Sequence, residues 1–187
     1  AYGFWIAPFD PHSTGPTHST SICPYTHKLW EFRNNVGHGN KKYGINIFRY
    51  WYPKEEECNL KSADSVSYLL DNTVYKNQIH GVTVGNQEAG KVGSVIFQNL
   101  VSADNGYVHP DASAYWTEKN SAANMTVGVL DSVLIATTNN DPWSSRGSRR
   151  GINLPEGNNF FTDNVTFVNY VGKNHGFEPQ AWAQRLS

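Results

Sequence analysis

Short apolar runs, each bounded by Asn, Asp or Gly, recur along this chain without settling into a helical period. The clearest is Phe32-Arg33-Asn34-Asn35-Val36-Gly37-His38-Gly39-Asn40, followed by Tyr43-Gly44-Ile45-Asn46-Ile47. It returns 37 residues later as Leu70-Asp71-Asn72-Thr73-Val74-Tyr75-Lys76-Asn77, followed by His80-Gly81-Val82-Thr83-Val84. In both copies an Asn (Asn35, Asn72) is followed five residues on by a second Asn and nine residues on by a Gly. The apolar positions after that Gly alternate, as in a strand with one face turned inward. Weaker copies open on Val95-Ile96-Phe97-Gln98-Asn99-Leu100, on Val133-Leu134-Ile135, and on Phe161-Thr162-Asp163-Asn164-Val165-Thr166-Phe167. With Asn99, Ser132 and Asn164 set equivalent to Asn72, the intervals are 27, 33 and 32 residues.

A recurring strand–turn–strand unit of uneven length predicts an all-β solenoid, a parallel β-helix with long loops inserted on one side. Residues 1–187 are expected to form a single such unit. Gly44 and Gly81 are placed at corners that need positive φ. Asn35, Asn72, Asn99 and Asn164 are placed at one repeated corner, where Asn tolerates the left-handed region and can stack amide on amide. The alternative is an antiparallel sandwich in which these are ordinary turn residues. The matched offsets favour the solenoid.

Between the repeats lie stretches with loop composition: 10–18, the polar connector 85–90, the excursion 107–116 and the basic, Gly-broken 146–151. Charged residues are 17% of the chain, aromatics 13%, and the net charge is −1, a balance that offers no grip on nucleic acid or an anionic membrane. No apolar run approaches the roughly 20 residues needed to span a bilayer, so no direct membrane insertion is expected. Ala1 follows neither an initiator Met nor a signal sequence, and the chain reaches Ser187 without an evident cap. It reads as a segment of something larger, or a subunit packed end-on against neighbouring domains or identical copies.

Cys23 and Cys58 flank the first strong repeat in loop-like sequence whose Pro and Glu neighbours argue against burial. An even count without metal-type spacing points to a disulfide, with two separate thiols as the alternative. Two sequons, Asn124-Met125-Thr126 and Asn164-Val165-Thr166, point with it to a secretory, extracellular glycoprotein. Asn164 is the poorer acceptor of the two, because a ladder position would turn its amide inward.

The runs Gly3-Phe4-Trp5, Gly15-Pro16-Thr17, Cys23-Pro24, Phe32-x-Asn34-Asn35-x-x-His38 and Tyr43-Gly44-Ile45 resemble the β-helix region of fibrocystin and fibrocystin-like ectodomains. Arg150-Gly151-Ile152-Asn153-Leu154-Pro155 and Asp163-Asn164-Val165-Thr166-Phe167-Val168-Asn169 are similar to the same region further on. The resemblance covers most of the chain in order. It implies a right-handed parallel β-helix in a large extracellular, often surface- or cilium-associated glycoprotein, with the Cys of the Cys-Pro pair in a disulfide. Relatives of that β-helix include hyaluronan-degrading cell-surface proteins, but none of their active residues can be matched here.

Candidate chemistry is thin. His12, His18 and His27 with Asp10 have no metal-type spacing, and His38 and His80 read as turn-lining. Asp104, Asp111 and Asp131, with His109 and Arg146, could serve a glycan-cleaving site only if folding gathered them; turn aspartates are the simpler account. Glu55-Glu56-Glu57 reads as a solvated run, with weak Ca²⁺ binding the minor possibility. Phe48, Tyr50, Trp51, Tyr52, Tyr115, Trp116 and Trp143 are a surplus suited to packing loops onto the solenoid, or to stacking on sugars. The expectation is a noncatalytic structural or adhesive module without cofactor or metal. The alternative is a polysaccharide-binding or polysaccharide-degrading groove.

Overall fold

The computed structural model of the chain describes residues 1–7, 19–29, 31–48, 51–85, 92–106, 113–117, 126–136, 138, 150–153 and 160–170. Among these are fifteen strands and no helix. One sheet runs in the order β1 (Phe4–Ile6), β4 (Tyr43–Ile47), β7 (His80–Val84), β10 (Ser113–Thr117) and β13 (Arg150–Asn153). A second contains β2 (Phe32–Arg33), β5 (Ser67–Leu70), β8 (Val95–Gln98), β11 (Val127–Leu130) and β14 (Phe160–Asp163). The third contains β3 (Val36–His38), β6 (Thr73–Tyr75), β9 (Val101–Ala103), β12 (Val133–Ile135) and β15 (Thr166–Val168).

Every pairing between these strands is parallel, and each strand pairs with the third one before and after it in the sequence. That order excludes the antiparallel sandwich. The connection between parallel neighbours, which usually runs through a helix, here runs through one strand of each of the other two sheets.

Side chains form columns because the registers hold from strand to strand. Leu69, Phe97 and Val129 line up in the second sheet, Val74, Ser102 and Leu134 in the third, Ile45 and Val82 in the first, and all of these are buried. Together with Trp51, Ile47 and Val95, all but Ser102 belong to one continuous hydrophobic core.

Two corner placements differ from expectation. Asn34, Asp71, Asn99, Asp131 and Asn164 have φ of 56°, 56°, 56°, 47° and 50°. The registers Arg33–Leu70, Leu70–Gln98, Leu130–Gln98 and Leu130–Asp163 put these five in one column. Asn99 and Asn164 therefore match Asp71, and the column of Asn72 is Asn35, Asn72, Leu100, Ser132 and Val165. The left-handed residue points outward and its successor inward, so a slip of one residue exchanges the faces. Asp meets the left-handed requirement as well as Asn does, which hides the true column from a search for Asn.

Gly44 and Gly81, for their part, lie inside β4 and β7 and are not among the residues with positive φ. The second left-handed corner is instead Gly39, Lys76, Asp104 and Asn169.

Candidate functional site

Two stacks of amides follow from these columns. In the shorter, the backbone N–H and Nδ2 of Asn35 both donate to Oδ1 of Asn72, at 3.2 and 3.1 Å. The longer uses the Asn five residues on. Asn40 donates through N–H and Nδ2 to Asn77 Oδ1 at 3.2 and 2.8 Å, and Asn77 donates in the same way to Asn105 Oδ1 at 3.0 and 2.8 Å. Asn77 Nδ2 also donates to the Gly37 carbonyl, and Asn105 Nδ2 to the Val74 carbonyl and to Ser102 Oγ. Asn77 and Asn105 are fully buried, so each amide satisfies backbone groups at a corner that water does not reach. The sequence shows Asn40 and Asn77 as part of the repeat. Asn105 carries no signal except the turn-like Asp104-Asn105-Gly106, so a ladder built on Asn35 and Asn72 misses the longer stack.

The outward corner column carries the charged chemistry. Asp71 accepts from Asn99 Nδ2 at 2.8 Å and from Arg33 Nη2 at 3.1 Å. Asp131 accepts from Asn164 Nδ2 at 2.9 Å and from Gln98 Nε2 at 3.0 Å. The Asn99 amide holds the Asp71 carboxyl below the usual carboxylate range, aided by Arg33 against a smaller effect of burial. Asn164 and then Gln98 do the same for Asp131. Hydrogen bonds to the charged form depress both pKa values, so the stability they contribute is present above the unfolded Asp value of about 4 and is lost as pH falls through the lower folded values. We expect the thermal midpoint to be level above about pH 5 and to fall below about pH 4, and an Asp71→Asn/Asp131→Asn protein to show a shallower fall. An unchanged slope in the variant would show that these carboxylates are not the responsible groups.

Cys23 and Cys58 are joined, with Cα atoms 5.2 Å apart. Cys23 is buried rather than exposed, because Thr26 folds over it: Thr26 Oγ1 donates to the Cys23 carbonyl at 3.2 Å and accepts from the Cys58 N–H at 2.9 Å. The backbone N–H groups of Tyr52 and Lys54 donate to the carbonyls of Tyr25 and Thr26, and Trp51 Nε1 donates to the His27 carbonyl at 2.9 Å. The cross-link thus clasps two excursions onto the core through Trp51. Closing a loop of 35 residues restricts the unfolded chain, and a Cys23→Ala/Cys58→Ala protein is expected to lose about 2–4 kcal/mol in urea unfolding. A loss near zero would mean that the backbone bonds hold the clasp alone.

The remaining candidates disperse. Asp104 accepts from the N–H and Oγ1 of Thr138, at the opposite end of the third sheet's strands from Asp131. His27 is paired with Glu57, and Lys28 bonds Glu55 at 2.9 Å, which lowers the Glu55 pKa. His38 and His80 do not line turns. They lie in β3 and β7, stacked on Tyr75 and Tyr43 with centroids 4.8 and 5.3 Å apart. Asp10, His12, His18, Tyr50, His109, Asp111, Asn124, Trp143 and Arg146 lie outside the described residues. Among the described residues no three His, Cys, Asp or Glu side chains are gathered so that they could hold a metal ion, and no helix is long and apolar enough to cross a membrane.

These columns and corners define an all-β protein of stacked parallel strands with a disulfide clasp, which suits an oxidising compartment. Comparison with protein-family models, curated proteins and solved structures finds no match to the chain.

Proposed function

We propose that the chain is a noncatalytic structural and adhesive module: a right-handed parallel β-helix segment of an extracellular glycoprotein of the fibrocystin-like kind, stacking end-on with neighbouring modules or identical copies. The observation that carries this reading is the stacked, fully buried amides of Asn77 and Asn105. With Asn40 they fix the first three strand layers on one another by hydrogen bonds that depend on register, as a rigid rod requires. The described carboxylates support the same reading, since Asp71, Asp104 and Asp131 each bond groups of an adjacent layer.

The test pairs scattering with an activity assay. Purified chain is expected to give elongated particles whose length grows with concentration, and to leave hyaluronan and other polysaccharides at their starting length. Polymer shortening that Asp104→Asn abolishes would overturn the reading.

One observation favours a second reading, glycan binding. Trp5 is 52% exposed, stacks on Tyr2 at 5.1 Å and meets Phe48 edge-on, with Lys42 Nζ over the Tyr2 ring. An exposed aromatic beside a cation suits the apolar face of a sugar ring. Calorimetric titration with oligosaccharides, and its loss in Trp5→Ala, would establish that binding.

A further inference from the structure

The first corner and the strand after it impose a fixed alternation. The left-handed residue points outward, the next is turned toward the core, and the one after faces solvent from the third sheet. Asn34 and Asn99 are followed at the second outward position by Val36 and Val101, Asp71 by Thr73, and Asp131 by Val133. Only at Asn164-Val165-Thr166, among the five described corners, do an outward Asn and an outward Thr coincide. Asn164 and Thr166 are both exposed while Val165 packs against the core. The Thr166 N–H is engaged by the Ser132 carbonyl at 2.8 Å, which fixes the strand and leaves the side chain exposed. The expectation that a ladder position would turn this amide inward does not hold, because Asn164 occupies the outward column.

We propose that Asn164 is a modification site, the acceptor of an N-linked oligosaccharide projecting from the corner between the second and third sheets. The proposal rests on the secretory reading above. In the transfer, Asn164 Nδ2 bonds to the anomeric carbon of a polyprenyl-diphosphate-linked oligosaccharide. The bond from that carbon to the phosphate oxygen breaks, the diphosphate leaves, and one Nδ2 proton passes to a base of the transferase. A glycosylated amide keeps its second N–H. The hydrogen bond to Asp131 Oδ1, 2.9 Å in the unmodified chain, therefore has a donor before and after modification. The corner accepts the sugar without giving up the contact that shapes it.

The experiment expresses the chain behind a secretory leader in a eukaryotic cell. It compares intact mass before and after peptide N-glycosidase, with peptide mapping to separate Asn164 from Asn124. Asn164 is expected to be occupied, and to be read as Asp after release. Thr166→Val is the decisive variant, since Val fills the same column at positions 36, 101 and 133. It should lose the glycan at Asn164 with its unfolding midpoint unchanged. Secreted, disulfide-closed chain that is bare at Asn164, or a glycan that survives Thr166→Val, overturns the site while leaving the compartment reading intact. Chain whose Cys23 and Cys58 remain thiols in that pathway overturns the secretory reading, and the site with it.

Discussion

Replacing Asn77 by alanine is expected to destabilise the fold by about 4 kcal/mol. Its side chain makes four hydrogen bonds at once, accepting from the N–H and Nδ2 of Asn40 and donating to the Gly37 carbonyl and to Asn105 Oδ1. Truncation leaves the Asn40 N–H and Nδ2 without their acceptor and takes one donor each from the buried Gly37 carbonyl and from Asn105 Oδ1, at a corner where Asn77 and Asn105 are fully buried. Each unpaired buried group costs about 1–3 kcal/mol. Asn77→Asp should be no milder, because a carboxylate restores the acceptor but faces two oxygens where Nδ2 donated. Asn35→Ala is the contrast: it removes one end of the shorter stack at a half-buried corner, and about 1 kcal/mol is expected there. The check is urea unfolding of the three variants with the disulfide closed. An Asn77→Ala protein within about 1 kcal/mol of the parent would show that the stacked amides shape the corner without stabilising it.

The same residues show how far the sequence can be read. Parallel stacking was legible because the first two strand triplets repeat Asn, Asn and Gly at matched offsets, with Ile45 and Ile47 answered by Val82 and Val84. Those offsets report real register: Ile45 pairs with Val82 and Ile47 with Val84. The third copy kept its strands but lost the signature, since Leu100 replaces the first Asn and an insertion follows Asn105. Choosing Asn99 in its place moved the reading by one residue, onto a column that selects for left-handed φ and accepts Asp as readily as Asn. The pairing of Cys23 with Cys58 was legible, but the burial of Cys23 was not, for a different reason. Its burial comes from Thr26 and the distant Cys58, contacts that local composition does not encode.

Gly44 was legible as a repeated element, answered by Gly81, but not in its role, and that role yields the second large effect. A Cβ at Gly44 would lie 2.7 Å from the Gly81 carbonyl oxygen, 2.7 Å from Val74 Cγ1 and 2.8 Å from Asn77 Nδ2. Backbone, core and amide stack all meet there, and none is the loose end of a flexible chain. Gly44→Ala is therefore expected to cost about 3 kcal/mol by overpacking. Gly39 separates this cause from backbone freedom, because its φ is +65° and its Cβ would meet nothing within 4 Å. Gly39→Ala should cost only about 1 kcal/mol, the strain of a left-handed alanine, and Gly39→Asn less. Equal losses at the two glycines would refute close approach as the reason for Gly44. Combining Gly44→Ala with Asn77→Ala sharpens the test. Removing the Asn77 amide relieves one of the three clashes, so the double variant should lose less than the sum of the single losses, by about 0.5–3 kcal/mol. Strict additivity would mean that the glycine and the amide stack hold the strand layers independently.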